Sequence, residues 1–181
     1  MSINLILGPM FSGKSTELLR RYRRYTIARK KCILVKAATD DRYDADKLCT
    51  HDEIGETALK CSSLKELQSL VDVTKYDVIC IDEVQFFPDA VEELELFANK
   101  YHLTIEASGL SGNYLRESFD VVNKLIPKAD SVIILNAVCM MCGNDGAPFT
   151  FRLGSEDSEI LVGGKESYKA VCRPCFYKNK D

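Results

Sequence analysis

Ile3-Asn4-Leu5-Ile6-Leu7-Gly8-Pro9-Met10-Phe11-Ser12-Gly13-Lys14-Ser15 decides how the rest of this chain is read. The apolar run from Ile3 to Leu7 predicts a strand buried on both faces. Gly8 to Ser15 then fits G-x-x-x-x-G-K-[ST], the pattern of a phosphate-binding loop. Its glycines let the backbone curl until consecutive N–H groups face one anion. Lys14 is then placed to reach the β- and γ-oxygens of a triphosphate, and the Ser15 hydroxyl to ligate Mg²⁺. A helix opening just behind adds the partial positive charge of its N-terminus. Gly8, Pro9, Met10, Phe11, Ser12, Gly13, Lys14 and Ser15 are therefore the candidate triphosphate-binding residues. A strand before the pattern and a helix after it separate a working loop from a glycine-rich turn.

Such a loop needs a second Mg²⁺ anchor at the end of a neighbouring buried strand. Val78-Ile79-Cys80-Ile81-Asp82-Glu83 supplies one, an apolar run that stops abruptly at two acids. Asp82 is the expected Mg²⁺ partner. Glu83, one residue later, is placed to take a proton from whatever attacks the γ-phosphate.

Around these two strands the chain alternates in a regular way. A helix is expected over about 15–30, a strand over 32–36 and a long Asp-rich loop over 37–57. A short helix comes next over 64–70, then a strand over 76–82 and a helix opened by Pro88 at its first position. Strands over 103–107 and 132–135 complete the set. This alternation predicts an α/β fold with a mainly parallel sheet. Arg20, Arg21, Arg23 and Arg24 read as the solvated face of the first helix.

The 181 residues carry 24 Lys and Arg against 27 Asp and Glu, a net charge of −3. That balance disfavours binding to a nucleic-acid backbone. Apolar runs are far too short for a membrane span, and nothing in the first residues resembles a signal peptide. An intracellular, cytoplasmic protein is expected.

Cys139, Cys142, Cys172 and Cys175 form two Cys-x-x-Cys pairs, while four other cysteines are scattered singly. In a reducing compartment the pairs read as four thiolates converging tetrahedrally on a structural Zn²⁺; a redox dithiol is the rival for either pair alone. Twenty-nine residues lie between Cys142 and Cys172, so a loop or hairpin is inserted there. Residues 1–135 are expected to form the phosphate-loop domain and 136–181 a small zinc-dependent one.

The acceptor of the phosphoryl group is open on these grounds: water in an ATPase or nucleotide switch with a zinc-ribbon adaptor, or a hydroxyl in a small kinase. Ordered blocks along nearly the whole chain resemble the thymidine kinases of the cytosolic animal, bacterial and large-DNA-virus type. They are LGPMFSGKSTELLRRYRRY (7–25), DDRY (40–43), THD (50–52), IDEVQFFPD (81–89), NKLIPKADSV (123–132), AVCMMC (137–142), FRLG (151–154) and VGGKESYKAVCRPC (162–175).

The resemblance implies a P-loop (RecA-like) parallel sheet flanked by helices, with a C-terminal zinc-bound lasso. It implies phosphorylation of the thymidine 5′-hydroxyl by Mg²⁺-ATP, with Glu83 as base and Arg42, beside Asp40, near the phosphates. Residues 155–164, with Leu161, look like the lasso that closes over the base. Phe86 and Phe119 resemble pocket aromatics, Met10 and Leu110 the wall near the base methyl, and Thr150 and Tyr168 polar contacts to the nucleoside. A homotetramer and feedback inhibition by thymidine triphosphate are implied as well. The sequence departs from the family where Val84 replaces a common Gly, and across Leu110–Phe119, where Ser111 and Ser118 replace Asp and Pro.

Overall fold

A computed structural model describes residues 1–39, 47–49, 55–153 and 166–178. Six strands form its main sheet: β1 (Ser2–Gly8), β2 (Cys32–Ala37), β5 (Leu59–Cys61), β6 (Val78–Asp82), β7 (Thr104–Leu110) and β8 (Ser131–Ile134). Their spatial order is β5-β2-β6-β7-β1-β8, and every pairing is parallel. β1 and β6 carry apolar residues on both sides because helices cover both faces of the sheet.

On one face Leu18 and Leu19 of helix α1 (Lys14–Ile27) pack with Ile6, Leu34, Val78 and Cys80. On the other, Ile3, Leu5, Leu7, Ile79 and Ile81 meet three helices, α2 (Leu64–Leu70), α3 (Ala90–Asn99) and α4 (Asp120–Leu125), through Leu67, Phe97 and Leu125. No helix among the described residues is long and apolar enough to cross a membrane.

Several boundaries differ from expectation. Helix α1 ends at Ile27, where Arg29 turns into the left-handed region at φ 59°. Pro88 lies in the turn before α3, whose first residue is Ala90, with Asp89 as its cap. The expected loop over 37–57 contains a short antiparallel pair, β3 (Lys47–Cys49) with β4 (Gly55–Thr57). Strand β7 runs three residues beyond the expected end, to Leu110, because it stays paired with β1 as far as Gly8.

Beyond β8 the chain forms two hairpin-like pairs, β9 (Ala137–Val138) with β10 (Asp145–Ala147) and β11 (Phe149–Arg152) with β12 (Tyr168–Val171). β10, β11 and β12 fill the 29-residue interval between the cysteine pairs in part. A final helix, α5 (Arg173–Lys178), brings Phe176 into a small core with Ala137, Ala147, Ala170 and Val171.

Candidate active site

The C-terminal ends of β1, β6 and β7 lie side by side, where ligands bind in open parallel sheets. From β1 the chain curls through Phe11 at φ 64° and Gly13 at φ 79° before α1 begins. Left-handed backbone at these positions turns the loop's N–H groups toward a common centre. Lys14 is buried, and its Nζ donates to the Pro9 carbonyl oxygen at 2.8 Å. The loop is thus held in a curl by its own lysine.

The structure brings Ser15 and Asp82 together: the Ser15 hydroxyl donates to Asp82 Oδ2 at 2.9 Å. Ser108, at the end of β7, donates to Asp82 Oδ1. Burial raises the pKa of Asp82 to about 6; the Glu83 charge adds to this, against the hydroxyls of Ser108 and Ser15 and the charge of Lys14. A divalent cation is the natural partner for a carboxylate so placed.

Glu83 is buried and holds a left-handed backbone, φ 53°. Such a conformation in a non-glycine residue persists only where the surroundings enforce it. The positive φ falls on Glu83, while Val84 opens a 3₁₀ turn without one and is fully buried. Val84 in place of Gly is accommodated in that way.

Gln85 Nε2 donates to Glu83 Oε2 at 2.6 Å, and the Leu110 N–H donates to Gln85 Oε1 at 3.1 Å. The amide therefore ties the carboxylate of Glu83, just past β6, to the end of β7. Gly109 leaves it room: a Cβ there would lie 2.8 Å from Gln85 Oε1 and 2.9 Å from Val84 Cγ1.

The C-terminal hairpin reaches this loop. Thr150 Oγ1 accepts from the Met10 N–H at 3.1 Å, and Phe11 packs against the small core around Phe176. Two residues along β11, Arg152 donates to the Tyr168 hydroxyl at 2.7 Å and lies 3.8 Å from the centre of the Tyr114 ring. Phe86 and Phe119 are half-buried against the larger core. A cavity of about 120 Å³ opens between Ser111, Gly112, Asn113 and Arg116 on one side and Pro148, Phe149 and Thr150 on the other. Arg42 and Leu161 lie outside the described residues, as do Asp40, His51 and the segment 155–164.

Sequence reasoning missed two features. Asn113 knits the segment after β7: its Oδ1 accepts from the N–H groups of Leu115 and Glu117, each at 2.9 Å. An Asn following Gly112 was the available signal. Glu106, buried in β7, receives Arg21 at 2.8 Å, the Tyr25 hydroxyl at 2.9 Å and Asn4 Nδ2 at 3.1 Å. Arg21 accordingly belongs to a half-buried polar cluster that ties α1 to the sheet, not to a solvated face.

The four C-terminal cysteines converge. Their sulfurs all lie within 4.8 Å of one another, and those of Cys142 and Cys172 are 3.6 Å apart. Tetrahedral Zn–S bonds of about 2.3 Å place sulfurs about 3.8 Å apart, so the set can hold that ion. All four are thiols and none is joined in a disulfide.

Burial opposes ionisation of Cys139, but N–H groups of Cys172, Met141 and Cys142 aim at its sulfur and bring its pKa down to about 6. Hydrogen bonding to the Cys142 and Cys172 sulfurs holds Cys175 up at about 12. One thiolate forms readily and the last only against its neighbours. A bound divalent cation removes that opposition.

Geometry of this kind defines a class, the phosphate-loop α/β proteins, here with a four-thiol site appended. Comparison with known proteins narrows it. The family model described as thymidine kinase matches residues 1–176. Among similar proteins, the thymidine kinase of raccoon poxvirus is 47% identical over 174 residues, 96% of each chain. Those of vaccinia virus (strain Ankara) and variola virus are each 46% identical over the same share. The chain belongs to the thymidine kinase family, as the ordered blocks of its sequence led us to expect.

Proposed function

We propose that this kinase transfers the γ-phosphoryl group of ATP to the 5′-hydroxyl of thymidine, giving thymidine monophosphate and ADP. One observation carries the reading: the lysine-held phosphate loop lies beside the buried Asp82–Glu83 pair, in a chain whose relatives are thymidine kinases. Gly8 to Ser15 would cradle the phosphates, with Lys14 on the β- and γ-oxygens. Ser15 and Asp82 would hold Mg²⁺, which when bound would offset the charge on the phosphates.

Glu83, kept in place by Gln85, takes the 5′-hydroxyl proton. The freed oxygen bonds to the γ-phosphorus while the bond to the β,γ-bridging oxygen breaks, and ADP leaves. Arg42 offsets charge developing on the transferred group. Met10, Phe86, Leu110, Phe119, Thr150, Leu161 and Tyr168 would enclose the nucleoside. Cys139, Cys142, Cys172 and Cys175 would hold Zn²⁺, which would anchor residues 136–181. The family resemblance adds a homotetramer, inhibition by thymidine triphosphate and a cytoplasmic location.

Incubation with Mg²⁺-ATP and thymidine, deoxyuridine or deoxycytidine tests this. Thymidine-dependent ADP formation is expected, whereas equal ADP release without nucleoside would make the chain an ATPase. Glu83→Gln should lower kcat by roughly 10²-fold or more while ATP binding persists. A wild-type rate in that variant removes the assigned base.

A further inference from the structure

The segment after β7 and the C-terminal hairpins exchange arginines. Arg116 leaves the segment and lays its guanidinium 4.7 Å from the centre of the Phe176 ring, 5.0 Å from Tyr177 and 5.7 Å from Phe149. Its Nη1 also donates to the Tyr177 hydroxyl at 2.7 Å. In return, Arg152 leaves β11 and stacks on Tyr114 of the segment. A planar cation over an aromatic face gains from the ring quadrupole, and guanidinium does so better than ammonium.

Both partners are set firmly. Asn113 closes the turn through the N–H groups of Leu115 and Glu117, and its own N–H donates to the Glu117 carbonyl at 2.8 Å. Arg116 emerges from that turn in the left-handed region, φ 68°. On the other side, Phe176 and Tyr177 come directly after Cys175, and the Phe176 N–H donates to the Cys172 carbonyl at 3.0 Å. Two of the three rings around Arg116, Phe176 and Tyr177, are therefore carried by the turn of backbone that presents two of the four sulfurs. The same Arg116 lines the cavity between the two parts, opposite Thr150.

We propose that nucleoside binding and zinc retention are energetically coupled across this seam, with Arg116 and the Tyr114–Arg152 stack as its positioning groups. This rests on reading the neighbouring cavity as part of the nucleoside site. Ordering the four thiolates fixes Phe176 and Tyr177, these fix Arg116, and Arg116 fixes the segment that borders the cavity. Coupling between binding sites is reciprocal, so a nucleoside that needs this segment in place must also tighten zinc.

The test uses the full zinc-loaded chain and needs no variant to begin. Zinc affinity is measured by equilibrium competition with a chromogenic chelator, with and without thymidine. A tightening of about fivefold or more is expected in the wild type, the lower end of ordinary coupling energies. Arg116→Ala should abolish most of it. The same variant should raise KM for thymidine by about fivefold, the worth of one exposed cation–π contact, with KM for ATP changed far less.

Tyr114→Leu should reproduce this split, and Tyr114→Phe, which keeps the ring, should restore wild-type behaviour. If Arg116→Ala fails to hold zinc at all, the two Tyr114 variants decide. Zinc affinity indifferent to thymidine in an active wild type, or variants with unaltered KM, overturns the coupling alone. A wild type that phosphorylates no deoxynucleoside overturns the functional reading and the coupling with it.

Discussion

The sheet and the C-terminal hairpins solve the problem of stability in different ways. The sheet buries long apolar rows between helices on two faces, and Phe87, Phe97, Ile79 and Ile81 are fully enclosed. The hairpins have a core of a few alanines, Val171 and Phe176, with two of the four clustered cysteines among its buried residues. Burial dominates in the first, whereas the second buries too little for that and, on the zinc reading proposed above, would rest on four cysteines and on its contacts with the phosphate loop. A small unit that leans on a metal and on its neighbour is expected to open more easily than the sheet, without unfolding the rest.

The strongest way to break this contrast is at a metal ligand. Cys172→Ser is expected to abolish metal binding, measured by elemental analysis, and to lower thymidine-dependent ADP formation by roughly a hundredfold or more. The far-ultraviolet dichroism of the sheet should persist. Loss of that signal along with the metal would mean the two regions fold as one.

A smaller and sharper comparison sets Phe97→Ala against Phe176→Ala. The first should destabilise the whole chain by about 3–5 kcal/mol, read from denaturant unfolding. The second should speed amide exchange in β11, β12 and α5 while β1, β6 and β7 stay protected. Equal loss of protection everywhere would erase the distinction.

The smallest effect is expected inside the sheet region. Gly109→Ala would push Gln85 away from Glu83 and should lower kcat by roughly tenfold, as slight misplacement of a reacting group does. An unchanged kcat would show that Gln85 does not hold the base.

The two regions also differ in how plainly their residues announce them. The phosphate loop, the strand ending in Asp82–Glu83 and the paired cysteines are local signals, each a short run whose spacing already implies its geometry. Arg20, Arg23 and Arg24 are exposed as expected, but Arg21 misleads because its partner is remote: Glu106 joins it from 85 residues away, and nothing near either residue announces it. The Gln85 bridge is hidden for the same reason, since its other end is a main-chain N–H of β7. Pro88 stands before α3 and not at its first position, because a proline serves a preceding turn as readily as a helix start. The pair β3–β4 has only three residues in each strand, too few for any alternation to stand out.

The place of β1 in the sheet also sets the order in which a growing chain can complete its site. Among the described residues β1 pairs with β7 and β8 alone, so Ser2 meets Thr104 and Asn4 meets Ser131. A nascent chain that stops short of Thr104 already displays the entire phosphate-loop sequence but has no strand to lay beside it. The Met10 N–H waits longer still, for Thr150. The phosphate-loop stretch thus takes shape only after much later sequence has been made, as expected where pairings of high sequence separation dominate.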